Sequence, residues 1–392
     1  MSIVQGCSRT AGRVSLTHRA WVEVDLEAIR HNIAAIRRLL KPSTQLMSVV
    51  KADGYGHGAV AVARTALSAG ASWLAVATVD EGISLRMAGI DAPILLFGPV
   101  ICTEEIEAVA EHRLQPTVCS LDQARRFSEA GLGPVPIHLK VDTGMSRLGI
   151  SWQEAQDLLS AIRVLPDVSV VSLYSHLATA DAVDPTTTRE QFERFSQLVE
   201  TLEQQGIRPP LVHLANSAAT LTFPDTHFDL VRIGLAQYGL YPSSHLQAVV
   251  ALRPALALKA KIIFVKTVPP GTGVSYGHTF RTARRTRLAT VSIGYGDGIS
   301  RALSNRIDFL VRGRRVRQVG TITMDQCLID VTDAPEVSDG DIATLLGHDG
   351  EEGISIAEWA ERLGTIPYEI LTALSPRLPR IVCRDAVLWT EA

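Results

Sequence analysis

Lys51 is the first residue whose placement suggests chemistry. It ends the apolar run Gln45–Val50 and is followed by Ala52-Asp53-Gly54-Tyr55-Gly56-His57-Gly58. A lysine at the end of a buried strand must be solvated, paired or deprotonated, because burial disfavours the ammonium form. A neutral amine there is a nucleophile suited to Schiff-base chemistry. Taken alone, the residue has two readings: that nucleophile, or a lysine that snorkels from a strand end to water. The alternating Gly54, Gly56 and Gly58 let backbone approach a ligand. They do not spell the G-x-G-x-x-G of a dinucleotide site. Five cysteines (Cys7, Cys102, Cys119, Cys327, Cys383) are scattered and never spaced C-x-x-C. This argues against a disulfide framework or zinc ribbon and for a reducing, cytoplasmic setting. The histidines form no H-E-x-x-H, so no metal is expected.

The elements that must position Lys51 are legible in the hydropathy pattern. Eight near-continuously apolar runs read as parallel strands covered on both faces: 45–50, 73–77, 93–97, 116–119, 137–141, 170–174, 211–214 and 230–233. Between them lie amphipathic segments. Leu26, Ile29, Ile33, Ile36 and Leu40 make one stripe, and segments 105–112, 122–130, 152–162 and 188–205 make others. Eight βα units predict a (β/α)8 barrel of the TIM type over residues 21–250, with Lys51 at its C-terminal, active-site end. An open doubly wound sheet is the competing reading. After residue 250 the pattern changes to short runs rich in Val, Ile and Thr, separated by Pro-Pro-Gly, Gly-Asp-Gly and Ser-Asp-Gly. Residues 251–392 are therefore expected to form a mainly-β domain. Residues 1–20 are polar, lack the apolar core of a secretory signal, and read as a leader.

Composition excludes several classes. The chain has 392 residues, 46% of them hydrophobic and 20% charged, the balance of a core-forming protein. Net charge is −3, which gives no electrostatic reason to expect nucleic acid or an anionic membrane as partner. No apolar run is long enough for a transmembrane helix.

The segment Val49-Val50-Lys51-Ala52-Asp53-Gly54-Tyr55-Gly56-His57-Gly58 closely resembles the cofactor-lysine motif of the alanine racemases, fold-type III enzymes that use pyridoxal 5′-phosphate (PLP). The resemblance continues through 138–150 (HLKVDTGMSRLGI), 175–181 (SHLATAD), 215–219 (ANSAA) and 231–242 (VRIGLAQYGLYP). It goes on through 274–280 (VSYGHTF), 292–298 (SIGYGDG) and 323–326 (TMDQ). It implies that Lys51 carries PLP and exchanges the α-proton on the D-alanine face, and that Tyr276 works on the L-alanine face. Two acid/base groups are needed, because one group can return a proton only to its own side of a planar carbanion. His176 and Arg232 match the groups near that tyrosine, and Arg232 also matches the arginine that faces the pyridine nitrogen. An always-charged donor there leaves the nitrogen unprotonated, which favours reprotonation at Cα over transamination. Tyr55, Asn216, Ser217, Gly234 and Leu235 match cofactor contacts, most of them around the phosphate. Arg147 resembles the residue that holds the substrate carboxylate, Met324 matches a backbone contact to substrate, and Lys140 matches a lysine that many members carry carbamylated.

Two positions depart from the family pattern. Pro376 stands where many members have a phosphate-binding tyrosine, and Ser146 where glycine is common. The resemblance further implies a homodimer in which the β domain of one subunit brings its tyrosine to the partner's barrel. A broad-specificity or serine racemase of the same fold, and a non-catalytic PLP-binding barrel, are the alternative readings. Such storage barrels lack the β domain and Tyr276.

Overall fold

In a computed structural model the chain is described over residues 18–384 and 387–389. The expected leader lies, up to residue 17, outside the described residues, as does Cys7. The chain divides into two compact units, Ala28–Arg253 and a second formed by residues before 28 and after 253.

The first unit contains all eight expected strands: β1 (Gln45–Val49), β2 (Trp73–Val76), β3 (Ile94–Pro99), β4 (Gln115–Val118), β5 (Val135–Asp142), β6 (Val168–Tyr174), β7 (Leu211–His213) and β8 (Leu230–Ile233). They pair in parallel in the order β8-β1-β2-β3-β4-β5-β6-β7. The ring is drawn closed by Asp229 N donating to Val212 O and Arg232 N to Ala215 O, each at 3.0 Å. That closure excludes the doubly wound alternative. All residues of β2 and β8 are buried, as strands sandwiched between a filled interior and an outer ring of helices require. The helices bury their apolar stripes, for example Phe195, Leu198 and Leu202 of Thr186–Gln204. Helix Val79–Met87 starts with a reciprocal capping box between Thr78 and Glu81.

The second unit is built on a ten-stranded sheet. Its main strands are β9 (Leu256–Val268), β10 (Thr286–Val291), β11 (Asp308–Val311), β12 (Arg314–Val319), β13 (Cys327–Asp330) and β14 (Ile342–Asp349). β9 pairs with β10 along one half and with β14 along the other, so the sheet turns back on itself. The strand Ala20–Asp25 belongs here. It runs antiparallel to β9 and parallel to Arg380–Arg384. Trp21, Val22 and Val24 are buried in this sheet, and Glu23 bridges Lys259 at 2.7 Å. Arg312 and Gly313 hold φ of 51° and 73° between β11 and β12, the left-handed pair that a two-residue hairpin turn demands.

Candidate active site

Lys51 emerges from β1 into an unusual piece of backbone. Ala52, Asp53, Gly54 and Tyr55 have φ between 51° and 60° and ψ between 41° and 52°, a full left-handed turn. Three of the four are not glycine, and each such residue costs about 1–2 kcal/mol. Specific contacts hold the turn. Ala52 N donates to Glu81 Oε1 at 2.6 Å, while Glu81 Oε2 accepts from Ala77 N at 2.7 Å. Asp53 Oδ1 accepts from Ala59 N at 2.8 Å. Tyr55 is buried and stacks on Tyr238 with ring centroids 5.0 Å apart. Lys51 Nζ lies 6.0 Å from the Phe97 ring centroid. Burial first, and then the charge of Arg147, hold its amine below the ordinary lysine range, with Glu81 opposing.

Arg232, on β8, is only 3% exposed. Its Nη1 donates to His213 Nδ1 at 2.9 Å and to His213 O at 3.2 Å. Its Nη2 donates to Ser175 O at 2.9 Å, Leu214 O at 3.0 Å and His176 Nδ1 at 3.2 Å. These five acceptors occupy both terminal nitrogens, and Nε–H is the guanidinium donor that none of them uses. The guanidinium also lies 5.4 Å from the Tyr174 ring. Burial lowers Arg232 to about 10, so it stays a cation at neutral pH. His176 is held well below the usual imidazole range by burial, then by Arg232, Lys140, Arg147 and Lys51.

Lys140 lies near the C-terminal end of β5 with 6% exposure, its Nζ 4.3 Å from the Tyr174 ring centroid. Burial and the charge of Arg232 pull it down to about 7. Lys140, Asp142, Met145, Arg147, Ser175 and His176 line one cleft. Asp142 Oδ1 accepts from the backbone N–H groups of Gly144, Met145 and Ser146, and so shapes the loop that carries Arg147. Ser146 sits at φ 57°, the backbone geometry that explains why glycine is common there. Among the described residues, Lys51, Lys140, Arg147 and Arg232 form no salt bridge. Four basic side chains gathered without paired carboxylates make a basin for anionic groups.

Beside this basin, Ser217 Oγ accepts from Gly234 N at 2.9 Å and Ala236 N at 3.4 Å. Asn216 caps the following turn through Ala219 N at 3.1 Å. A Cβ on Gly234 would lie 2.6 Å from Tyr55 Oη, so only glycine fits beside that hydroxyl. Leu235 follows, fully buried.

Thus ten of the residues expected from sequence (Lys51, Tyr55, Lys140, Arg147, His176, Asn216, Ser217, Arg232, Gly234 and Leu235) belong to the barrel unit. Tyr276 and Met324 belong to the second unit, 73% and 53% exposed. Met324 O accepts from Gly296 N at 2.9 Å. A Cβ on Gly294 would come within 2.5 Å of the same oxygen. Beside Pro376, Arg377 bridges Asp325 at 2.7 Å and so ties down the Met324 loop. Four functional neighbours went unread in the sequence: Glu81, Asp142, Tyr174 and His213. The T-x-x-E pattern at 78–81 signalled Glu81 as a cap, whereas nothing local marks His213.

A parallel (β/α)8 barrel with a desolvated lysine at the end of its first strand and a mouth lined by basic side chains defines a class of barrel enzymes that work through an anionic carbonyl cofactor. The chain matches the family model "Alanine racemase, N-terminal domain" over residues 24–242 and "Alanine racemase, C-terminal domain" over 255–382. It is 52% identical over 370 residues to the alanine racemase of Nostoc sp., covering 93% of this chain and 96% of that one. Identity to the alanine racemase of Synechocystis sp. is 51%, covering 94% and 100%. Among solved structures, the alanine racemase of Bacillus anthracis with bound L-Ala-P is similar at TM-score 0.89 and 41% identity, covering 95% and 96%. The chain belongs to the alanine racemase family, whose members are PLP-dependent enzymes. The residues present fit that cofactor: an amine below its ordinary pKa, a glycine cradle that a Cβ would fill, and a buried arginine with one donor uncommitted.

Proposed function

We propose that this protein is an alanine racemase (EC 5.1.1.1) that interconverts L- and D-alanine and supplies D-alanine for peptidoglycan. The observation that carries the reading is Lys51, desolvated at the end of β1 in a mouth that gathers four basic side chains with no salt bridge among the described residues. PLP, when bound, supplies the electron sink that stabilises a carbanion at the substrate Cα.

The protein's own residues do the rest. Lys51 holds the cofactor covalently and exchanges a proton at Cα on the D-alanine face. Tyr276 does so on the L-alanine face. Arg147 binds the substrate carboxylate through its fork of donors, and the Met324 backbone borders the substrate. Tyr55, Asn216, Ser217, Gly234 and Leu235 hold the cofactor, chiefly its phosphate. Arg232 would face the pyridine nitrogen of the bound cofactor and keep it unprotonated, while His176 supports Arg232. Lys140, an amine lowered to about 7, is a candidate for carbamylation by CO2, which would turn it into an anion that balances Arg147. The functional unit is a homodimer in which Tyr276 acts on the partner's barrel. The domains are a PLP-binding barrel over 28–253, without the strand Ala20–Asp25 that the expected 21–250 span would include, and a catalytic β domain formed by that strand and the described residues after 253. The setting proposed is cytoplasmic, in keeping with the four free cysteines among the described residues.

The test is to mix the PLP-loaded protein with L-alanine in heavy water. Solvent deuterium at Cα with loss of optical rotation is the expected result. A yellow but inert protein would instead be a cofactor store, and a panel of other L-amino acids measures how narrow the substrate range is.

A further inference from the structure

Arg232 is a buried cation with no carboxylate partner among the described residues, and its surroundings must compensate for that charge. Five lone pairs do part of this. The one given by His213 Nδ1 leads further into the barrel. Because Nδ1 accepts from Arg232, His213 must carry its proton on Nε2. That Nε2 lies 3.1 Å from Ser172 Oγ, so the hydroxyl accepts from it. Ser172 Oγ lies 2.5 Å from His138 Nδ1, and having accepted from His213 it donates here. His138 then carries its proton on Nε2 and donates to Gln115 Oε1 at 3.0 Å. His138, Ser172 and His213 are at most 1% exposed, so water does not intervene. Burial keeps both imidazoles neutral: His138 is pushed down to about 3 and His213 is well below the usual range.

We propose that His213, Ser172, His138 and Gln115 form a one-directional hydrogen-bond relay across the barrel interior. In it every bond points away from Arg232, and the relay stands in for the missing counter-ion and fixes the guanidinium. These are positioning residues: they act through Arg232 and touch no substrate. The lone pair, not an N–H, of His213 is presented to the cation, and each further bond polarises the one before it in the same sense. Tyr174 adds a second arm of the same polarity. Its hydroxyl reaches Thr117 Oγ1 at 2.6 Å, and Thr117 in turn donates to Leu96 O.

The relay rests on the racemase reading for its consequence, but not for its geometry, and the tests separate the two. In the protein without cofactor, 15N-histidine resonances assigned by the His138→Gln and His213→Asn variants should show both residues as neutral Nε2–H tautomers. A protonated ring or an Nδ1–H tautomer at either position overturns the relay, whatever the enzyme does. In the loaded enzyme, Ser172→Ala should lower kcat by about 3- to 10-fold, the loss of one neutral hydrogen bond. KM should be nearly unchanged, and the visible absorption of the bound cofactor should shift. His138→Leu should do the same. His138→Gln, which can still accept from Ser172 and donate to Gln115, should restore most of the loss. Wild-type kcat and absorption in Ser172→Ala, or equal damage from His138→Gln and His138→Leu, would sink the proposal. A wild-type protein that binds PLP yet racemises nothing would count against the racemase reading alone.

Discussion

The barrel mouth and the Tyr276 loop of the second unit place their reactive groups in opposite surroundings. Lys140 and Arg232 are at most 6% exposed, Lys51 is part-buried, and burial is the first cause of the lowered pKa of each. Tyr276 is 73% exposed, on a three-residue turn whose preceding Ser275 holds φ 58°. Chemistry in the barrel is thus tuned by its own unit, through desolvation and fixed acceptors. The tyrosine is only presented by its unit, with Tyr276 O held by Thr321 Oγ1 at 2.8 Å. The contrast shows that rate and stability should separate differently in the two regions.

The sharpest way to break the comparison is to remove each reactive group. Lys51→Ala and Tyr276→Phe should each cut racemisation by about 10²–10⁴-fold, the usual contribution of a general acid/base. Tyr276→Phe should leave the melting temperature alone, because the lost hydroxyl belongs to an exposed ring. Borohydride reduction and peptide mapping should put the pyridoxyl label on Lys51, and a label on another lysine would refute its assignment. Mixing the two inactive variants under subunit exchange should recover activity if the sites are shared between subunits.

Lys140 gives the next largest effect, and it is one of pH. Its folded-state value of about 7 lies below the ordinary 10.5. Between those limits the folded state binds fewer protons than the unfolded chain, so stability rises with pH from about 7 to 10.5. The burial penalty is complete at and below pH 7, on the order of 3–5 kcal/mol. Lys140→Met should therefore be more stable than wild type at pH 7 in carbonate-free buffer, by urea unfolding, with a gap that narrows toward pH 10. Bicarbonate should stabilise wild type and not the variant, since a carbamate turns this cation into an anion among cations. A pH-independent gap would mean that Lys140 is not desolvated.

Arg232→Lys sharpens the same contrast at smaller scale. It keeps the charge, but its three N–H donors cannot serve the five acceptors around Arg232 and also take the place of the uncommitted Nε–H. A loss of about 10- to 150-fold in kcat/KM follows from about 1.5–3 kcal/mol per charged hydrogen bond. Unchanged turnover would reduce Arg232 to a structural role. The smallest expected effect is at Ser146, strained at φ 57°. Ser146→Gly should raise stability by about 0.5–1 kcal/mol, seen as a modest rise in melting temperature.

Much of this was legible because of how each element is buried. The eight barrel strands read directly, since strands covered on both faces leave unbroken apolar runs. β12 is harder to read than the barrel strands, because Arg314, Arg315 and Arg317 expose their side chains and only Val316, Gln318 and Val319 are buried. Ala20–Asp25 carries no mark of its sheet partners, which lie more than 230 residues away in sequence. The same holds within the site. Lys51 announces itself by its motif, but the His138–Ser172–His213 set spans 75 positions and exists only once β5, β6 and β7 lie side by side.

The left-handed turn that follows Lys51 has a consequence for the order of folding. An unfolded chain seldom visits that conformation at Ala52, Asp53 and Tyr55, and three such residues together cost roughly 3–6 kcal/mol. The turn cannot nucleate. It closes only after Glu81 and the Tyr238 ring are in position to hold it, late in the assembly of the barrel. The same debt makes it an early segment to open under stress, so amide exchange across 52–56 should outpace that of β1. The lysine proposed to carry the cofactor then hangs from a stretch that depends on distant contacts for its shape, and partial unfolding there should release the cofactor before it releases the fold.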